Sequence, residues 1–542
     1  MTTNGFKCFS QLNQEERAFA ELLCSGSDER SEQNAEGLNK YGGAAFPRET
    51  LSFGSCTNST ITPSGWEVAR LALNAFQQRA AEVGELQAAD EIGINVKDQL
   101  LSLMKLTEID GLQVVLTPSG TDAESIAVYF AALARQKSLV NILMGLGEVG
   151  SGSALAAGAK YFSLRTPTGK ATISGAPLDA ELADKINVHQ IKIRVDSSDE
   201  RAPQELDLEI KQLVESSLAS GSDVVLHIVA HSKTGVHAPR LETMHTLLAE
   251  HGERIVPIID AAQGRFSRRG LRDYLARGFM VILTGSKFYG GPPFSGCLLI
   301  PKNLLPENVD TIQFSKGFSE YLTPAQLPKH WTAARQSLTP TINLGLLLRW
   351  QVALAEMVAY YDVPGAMRYQ ILRFFESQAP IILGRSHWLE LINPSIPIFD
   401  DVFERLLQSK TTVFSFRVKT AENYSQQLAQ PELARWVRWI NHDISAVLAA
   451  DAPASIYDAM RTCFQLGQAV HVGEKPTGEA DYVIRVAIGG ALIIQVANDL
   501  SVGTTFQARL AWLAASLERL RVKIEYIATH EADLLACEAM VC

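Results

Sequence analysis

The sequence has no excess of basic residues. Its 49 lysine and arginine residues are outnumbered by 59 aspartate and glutamate residues, and the formal net charge is -10. Proteins that bind nucleic acids concentrate lysine and arginine on one surface, and no basic block of that kind offsets the acidic composition here. We therefore expect no nucleic-acid partner.

Long apolar runs and paired cysteines are also missing. No apolar run reaches the roughly 20 residues that span a bilayer, and residues 1–7 lack the apolar core of a signal peptide. We therefore expect no membrane partner and a cytoplasmic location. The cysteines are odd in number and scattered without metal-like spacing, which is typical of free thiols in a reducing compartment and predicts no metal site.

The length and composition favour a globular protein of more than one domain. With 542 residues, 46% of them hydrophobic and 20% charged, the chain can bury a large core. Changes of pattern predict a polar leader that packs on the body, a large α/β domain, a connecting helix and a smaller C-terminal domain. Their predicted ranges are 1–62, 63–343, 344–363 and 364–542. Within the leader, residues 28–33 are interpreted as a solvated charged run.

Short apolar runs alternate with helical patterns through the large domain. The runs are continuous, as expected of parallel strands that are covered on both faces, and the helices between them supply the crossovers. We therefore predict an α/β fold with a doubly wound, mostly parallel sheet. The predicted strands are 112–116, 140–146, 224–230, 255–259, 280–284 and 297–300. The predicted helices include 66–84, 121–136, 241–251, 271–277 and 344–361.

The C-terminal part mixes helices with strands. Strands are predicted at 412–418, 464–472 and 482–488, and a closing amphipathic helix is predicted at 504–527. This pattern indicates a small α+β domain.

Lys287 lies just past an apolar strand, among small and hydroxyl residues. An amine in this position can form an imine with an aldehyde, while the neighbouring hydroxyls of Thr284 and Ser286 bind a phosphate. Such a lysine has a lowered pKa and can also move a proton. The alternative is a surface lysine in a glycine-rich turn.

A carboxylate ends the strand that precedes Lys287 by about one strand–turn–helix unit. This residue is Asp260, and Gln263 follows it by three positions. A lysine imine and a carboxylate that meets a pyridine nitrogen are the two groups that a pyridoxal phosphate enzyme needs. Gln263 can donate to the phenolic oxygen of the same ring. Without the lysine motif, an aspartate here would be interpreted as a cap of its own turn.

A third motif, Ser119-Gly120-Thr121, falls between a strand and a helix. The exposed N–H groups and the helix dipole favour a phosphate at such a place, with the two hydroxyls adding hydrogen bonds. A plain helix N-cap is the alternative, because serine and threonine cap helices of every kind.

Three further residues are candidates for contact with a substrate. Arg485 lies in an apolar β-rich segment, where its guanidinium can bind an amino acid's α-carboxylate or pair with a structural carboxylate. His231 lies where a strand ends, and it can stack on a ring or move protons. Cys56 belongs to the loop 53–58, which either reaches a site or forms a surface turn.

Together these motifs resemble those of fold-type I pyridoxal phosphate-dependent enzymes, in the branch of class V aminotransferases and cysteine desulfurases. The likeness covers roughly residues 60–500, and the spacing from Asp260 to Lys287 is its most specific part. The motifs occur in the family's order: 119–121, 231–235, 260 with 263, 284–287, 337–343 and 485.

The resemblance implies pyridoxal 5'-phosphate as cofactor, with Lys287 forming the Schiff base, Asp260 contacting the pyridine nitrogen and Gln263 the phenolic oxygen. It implies a substrate-carboxylate contact for Arg485, and from its position at a strand end we expect a catalytic role for His231. The residues implied in binding the phosphate are Ser119, Gly120, Thr121, Thr284, Ser286 and, across a homodimer interface, Thr339. Further substrate contacts are expected from Asn343 and Cys56.

The chain departs from the family pattern at three places. Residues 147–153, where the family often stacks a histidine on the cofactor ring, contain no aromatic residue, so either a bulky substrate has room or another residue stacks. The segment 231–233 changes the polar groups that face the substrate. Cys463 is the only candidate for a desulfurase nucleophile, and its segment, 461–467, has the pattern of a strand rather than of a mobile loop, which argues against persulfide chemistry.

We therefore expect an enzyme that deprotonates an amino acid at Cα and then eliminates or replaces a β- or γ-substituent. A specialised biosynthetic pathway and a sulfur-containing or sulfonium amino acid are compatible with this lyase or transferase chemistry. Transamination and decarboxylation are the alternatives, since the same groups serve both. A catalytically silent scaffold is a further alternative, against which Lys287 and Asp260 speak.

Overall fold

The computed structural model describes residues 6, 8–54, 56–135, 137–145, 147–195, 200–394, 407–420, 427–475 and 477–537. Most of residues 1–7, Ser55 in the predicted loop, and the predicted element ends at Gln136 and Leu146 lie outside the described residues.

The strands are β1 (Leu51–Ser52), β2 (Gln113–Thr117), β3 (Leu139–Met144), β4 (Ile186–Ile191), β5 (Asp223–Ala230), β6 (His237–Ala238), β7 (Ile255–Ala261), β8 (Met280–Thr284), β9 (Gly296–Ile300), β10 (Leu389–Leu391), β11 (Val413–Val418), β12 (Phe464–Gln465), β13 (Val470–Glu474) and β14 (Ala480–Ala487). The helices are α1 (Gln14–Cys24), α2 (Pro63–Val83), α3 (Glu85–Leu103), α4 (Gly120–Ala134), α5 (Ser153–Ala157), α6 (Ala180–Asp184), α7 (Pro203–Ala219), α8 (Leu241–His251), α9 (Arg268–Ala276), α10 (Lys316–Ser319), α11 (Thr332–Ser337), α12 (Leu344–Asp362), α13 (Gly365–Leu383), α14 (Gln430–Asn441), α15 (Ala454–Arg461), α16 (Gly490–Asn498), α17 (Phe506–Thr529) and α18 (Glu531–Ala536).

A mostly parallel sheet forms the centre of the molecule. Its strand order is β2-β9-β8-β7-β5-β3-β4, with β6 paired to β5. Neighbouring strands are parallel except where β9 and β6 take part. This architecture confirms the predicted mixed α/β fold. The edge strand β4 was not predicted, because its sequence mixes apolar and polar residues and it is only partly buried.

Strand β7 shows why the central strands read as continuous apolar runs. Ile255 and Ile259 belong to one core cluster, whereas Val256 and Ile258 belong to the cluster on the opposite face of the sheet. Because successive side chains of a strand point to opposite faces, both faces must be apolar when helices cover both. The alternating polar pattern of a half-exposed strand is therefore missing.

The parallel arrangement decides where the site lies. Strands β2, β3, β5, β7 and β8 run in one direction, so their carboxyl ends meet at the same edge of the sheet. The motifs at 119–121, 231, 260–263 and 284–287 all follow or end these strands. In open α/β sheets this edge is where ligands bind.

The C-terminal part contains an antiparallel sheet in the order β10-β11-β14-β13, beside helices α13 to α18. The predicted strand at 464–472 is two short strands. β12 pairs in parallel with β1, and β13 pairs with β14. Just past β12, the N–H of Leu466 donates to the side chain of Asn441 (2.8 Å) rather than to a neighbouring strand.

The N-terminal segment packs against α12. The rings of Phe19 and Trp66 lie 4.6 Å apart and share a cluster with the buried Leu348. Arg349 adds hydrogen bonds from Nη1 to the carbonyls of Leu23 (2.7 Å) and Ser25 (2.6 Å). The segment is therefore fixed by apolar and polar contacts to the connecting helix, while the division into domains stays a prediction.

The prediction of a solvated run at 28–33 is wrong for its central ion pair. The Asp28 side chain is 1% exposed and that of Arg30 is 15% exposed. Arg30 donates from Nη2 to Asp28 (2.5 Å) and also to the hydroxyl of Ser119 (3.2 Å), so both buried charges have hydrogen-bond partners.

Within the described part of the chain, every helix is too short or too polar to span a bilayer.

Replacing Leu348 by alanine tests the packing of the N-terminal segment. Leu348 is fully buried, so Leu348→Ala is expected to lower the free energy of unfolding by about 2–5 kcal/mol. Leu71, which is 67% exposed on α2, is the matched control. Urea unfolding should show little change for Leu71→Ala, and an equally small change for Leu348→Ala would contradict the packing described.

Candidate active site

A cavity of about 250 Å³ opens at the carboxyl edge of the sheet. It contains most of the residues that the sequence singled out. These lining residues are Cys56, Ser119, Gly120, Thr121, His231, Asp260, Gln263, Thr284, Ser286, Lys287 and Arg485.

Lys287 follows the end of β8 in a tight turn. Gly291 fits there because a Cβ atom on it would lie 2.8 Å from the backbone of Ala353. Burial lowers the pKa of the Lys287 amine, and the nearby carboxylate of Asp260 acts in the opposite direction. The two residues therefore interact electrostatically within one cavity.

Asp260 lies in β7, level with Val229 on β5 and Ile282 on β8. Its Oδ1 accepts a hydrogen bond from the N–H of Ala262 (3.1 Å), so part of its role is to cap its own turn. The hydroxyl of Thr284 donates to the carbonyl of Ala262 (2.7 Å) and ties the ends of the two strands together.

The N-terminus of α4 forms one end of the cavity. Ser119 caps the helix: its Oγ accepts from the N–H of Asp122 (3.3 Å) and donates to the carboxylate of the same residue (2.5 Å). The N-cap alternative therefore describes the Ser119 side chain. The first N–H groups of the helix have no acceptor within it, so they remain suited to an anion.

Gly120 keeps this helix end open. A Cβ atom there would lie 3.1 Å from the Cβ of Ala262 and 3.3 Å from a methyl of Ile282, which is closer than side chains ordinarily approach. Asp122 is buried behind it, and burial, together with the charge of Asp28, raises its pKa above the ordinary value of an aspartate. The helix end therefore combines a close backbone approach with a buried carboxyl group.

Arg485 and Lys233 form a cationic wall opposite the sheet. Arg485 lies on β14, is buried, and donates from Nη1 to the carbonyl of Lys233 (3.1 Å). Burial and the charges of Arg485 and Lys287 lower the pKa of Lys233 to about 8. Cys56 adjoins this wall, since a Cβ on Gly467 would lie 2.5 Å from its sulfur and 3.0 Å from Nη2 of Arg485.

A buried ion pair holds the loop that carries Lys233. Nε of Arg194 lies 2.5 Å from Oε1 of Glu148, and both side chains are at most 5% exposed. Oε2 of Glu148 accepts from the hydroxyls of Ser232 (2.7 Å) and Thr234, and its carbonyl accepts from the N–H of Lys233 (2.8 Å). The position of Lys233 thus depends on Glu148, which lies in the segment where the sequence lacks an aromatic residue.

His231 lines the cavity in a left-handed backbone conformation, with φ of 63°. Its ring lies 6.1 Å from that of Phe266, with the planes at 80°. Burial lowers its pKa to about 3, so the imidazole is neutral near pH 7. A neutral ring can accept or donate a hydrogen bond, or stack on a flat ligand.

Thr339 and Asn343 are not among the described lining residues of the cavity. Thr339 is exposed, and its contact with a partner's site stays a prediction. Asn343 caps α12 by accepting from the N–H of Leu346 (3.1 Å), and its Nδ2 donates to the carbonyl of Gly26 (2.9 Å). Both polar ends of Asn343 are thus used in the fold, which gives no support to substrate binding in its own chain.

Several lining residues were not anticipated as site residues from the sequence. Arg30, Lys40 and Tyr41 come from the N-terminal segment, which carries no motif. Glu124 and His227 lie beneath the cavity with Oε1 and Nε2 at 3.3 Å, and burial raises the pKa of Glu124 and lowers that of His227 to about 3. The only signal for Glu124 was its place in the first turns of the helix after Ser119.

Removing the arginine of the buried ion pair tests how the Lys233 loop is held. Arg194→Ala leaves the Glu148 carboxylate without its partner, so the free energy of unfolding should fall by about 3–5 kcal/mol. Arg70→Ala removes an exposed ion pair with Glu67 and should change stability by less than about 1 kcal/mol. Urea unfolding of both variants provides the comparison, and equal small effects would mean that the buried pair does not hold the loop.

No protein-family model matches the chain, and no curated protein matches its sequence. Solved structures of similar fold include the apo cysteine desulfurase from Thermococcus onnurineus NA1, with 14% identity, a TM-score of 0.48, and 87% of this chain and 94% of that chain covered. Tryptophan decarboxylase from Catharanthus roseus in complex with L-tryptophan has 15% identity, a TM-score of 0.47, and coverage of 88% and 83%. TDC from Oryza sativa with PLP and tryptamine has 13% identity, a TM-score of 0.46, and coverage of 88% and 83%. The similarity is one of fold and assigns no substrate or reaction to this chain.

Proposed function

We propose that the protein is a pyridoxal phosphate-dependent enzyme acting on an α-amino acid. The observation that carries the proposal is the meeting of Lys287, Asp260 and the N-terminus of α4 in one cavity. An amine, an acid and an anion site are three different groups, and each has a counterpart on this cofactor: the aldehyde, the pyridine nitrogen and the phosphate.

The residues present fit the cofactor. The N-terminus of α4 and the hydroxyl of Ser286 would hold the phosphate, and Thr284 would join them once its hydroxyl turns from the carbonyl of Ala262. Gln263, buried beside Asp260, would donate to the phenolic oxygen, and Asp260 would hold the ring nitrogen protonated. When bound, the cofactor supplies an electron sink for charge released at Cα.

Lys287 can serve both as the covalent anchor and as the group that moves the Cα proton. Because burial lowers the pKa of its amine, more of the amine is unprotonated near neutral pH than at an exposed site. An unprotonated amine is both a nucleophile toward an aldehyde and a base. His231, which is neutral, is available to stack on the ring or to bind the substrate.

Arg485 would take the substrate's α-carboxylate. Its guanidinium presents donors in a fork that matches a carboxylate. Lys233 and Cys56 lie beside it, so in this arrangement they would lie near the substrate. An amine of lowered pKa therefore lies next to a thiol on this side of the cavity.

For the reaction we favour removal of the Cα proton followed by elimination or replacement at the β- or γ-carbon. Two amines line the cavity, Lys287 and Lys233, so one can remove the Cα proton while the other protonates a departing group. Cys463 lies outside the described lining residues, beside β12, which supports a reaction other than desulfuration through that thiol. A sulfur-containing or sulfonium amino acid remains our proposed substrate class, and transamination and decarboxylation are the competing outcomes.

We further propose a homodimer in which the exposed Thr339 reaches the phosphate site of the partner. Its exposure leaves it available for such a contact.

Reductive trapping tests the role of Lys287 against that of Lys233. Borohydride should fix pyridoxal phosphate to Lys287, because Lys287 follows β8, the strand next to the one that carries Asp260. Peptide mass spectrometry of the wild type, Lys287→Ala and Lys233→Ala locates the adduct. Loss of the adduct in Lys287→Ala alone is expected. An adduct on Lys233, or a fully active Lys287→Ala variant, would contradict the assignment.

A panel of amino acids tests the reaction type and the role of Arg485. Release of a substituent together with ammonia and a keto acid, or its exchange for an added nucleophile, is expected; an amine with carbon dioxide would indicate decarboxylation. Arg485→Met should raise KM by at least about tenfold, as expected for a lost charge-assisted contact, while the cofactor stays bound. The absence of turnover with every amino acid, despite bound cofactor, would favour the scaffold alternative.

A further inference from the structure

A second cavity, of about 600 Å³, lies beside α9 and the junction of α12 and α13. It shares no described lining residue with the catalytic cavity. The charged residues among its described lining are Lys105, Arg268, Arg269, Arg272, Asp273 and Arg368. The proposed chemistry at Lys287 uses none of these residues.

The lining is strongly cationic. Its described residues include four arginines and one lysine, but one aspartate. Arg272 has a carboxylate partner outside the cavity, since its Nη2 lies 2.6 Å from Glu108. In the part of the chain that the structure describes, no carboxylate pairs with Arg268 or Arg368. The positive charge of these two arginines is therefore available to a ligand.

Two guanidinium groups share one tyrosine ring. The guanidinium carbon of Arg268 lies 3.6 Å from the ring centre of Tyr361, and that of Arg368 lies 5.3 Å from the same centre. Arg368 also lies 4.8 Å from the ring centre of Tyr360. The rings attract each cation, but the two like charges repel each other. An anion in contact with both guanidinium groups would offset this repulsion.

The hydrogen-bonding groups of the arginines point to the same conclusion. Nε of Arg268 and Nε of Arg368 are buried and have no hydrogen-bond partner among the described residues. Buried donors of this kind are normally satisfied. Arg268 is also the first residue of α9, where the helix dipole adds a partial positive charge.

We propose that this cavity binds a small organic anion that carries phosphate groups. Arginine forks match phosphate oxygens in geometry, and a phosphate bears more charge than a single carboxylate. The cavity falls in the size range of small-molecule sites, and it is larger than a bare phosphate needs. A molecule of nucleotide size, with its phosphates in contact with Arg268 and Arg368, fits the charge and the volume together.

Calorimetric titration of the purified full chain with ATP and with inorganic pyrophosphate tests the proposal. Saturable binding of ATP is expected, with an affinity that falls as salt is added. Arg268→Gln and Arg368→Gln should each weaken it by at least about tenfold, because each removes a charge-assisted contact. The matched control is Arg277→Gln, which removes a charge from an exposed arginine just past the end of α9 that contacts His245.

Thermal unfolding gives a second readout that exposes a misfolded variant. ATP should raise the unfolding midpoint of the wild type and of Arg277→Gln, and should raise it less for the two cavity variants. Variants that keep the wild-type midpoint without ligand but lose this shift would support the site. An ATP affinity that neither cavity variant changes, or no saturable binding of either probe up to about 1 mM, would overturn the proposal.

Discussion

The rest of the site depends on one constraint: the Lys287 amine is buried where the charge of the Asp260 carboxylate acts on it. Taking an ammonium group out of water costs several kcal/mol, which is a large fraction of the free energy of unfolding of a typical protein. The nearby carboxylate opposes that effect, and the pKa of the amine settles below its ordinary value. A reactive amine thus follows from where the chain places it. The parallel sheet supplies that place, because it brings the ends of β7 and β8 to one edge.

The same edge explains why the sequence was informative about this site. Lys287, Asp260 and the 119–121 turn each follow a short apolar run, and parallel strands place such positions together. The runs themselves could be identified because helices cover both faces of the sheet, as the two core clusters around β7 show. Strand β8 and helix α8 were predicted with the bounds that the structure gives. Strand β4 was missed because an edge strand needs no continuous apolar run.

The remaining site residues could not be predicted because their contacts join distant parts of the chain. Arg30 meets Ser119 across 89 positions, and its pairing with Asp28 buries a segment that reads as solvated. Lys233 owes its position to Glu148 and Arg194, an ion pair that no local pattern indicates. Asn343, a residue within a family motif, caps α12 in this structure, and its contact with a substrate stays a prediction. Local patterns therefore predicted the groups at the strand ends and Arg485, whereas the position of Lys233 beside Arg485 depends on tertiary contacts.

A crystal structure of the protein grown with pyridoxal phosphate tests the central claim most directly. The cofactor should be joined to Nζ of Lys287, with its ring nitrogen about 2.7–3.0 Å from the Asp260 carboxylate. Its phosphate should lie at the first turn of α4. A cofactor bound elsewhere, or a ring whose nitrogen faces away from Asp260, would contradict the assignment of the site.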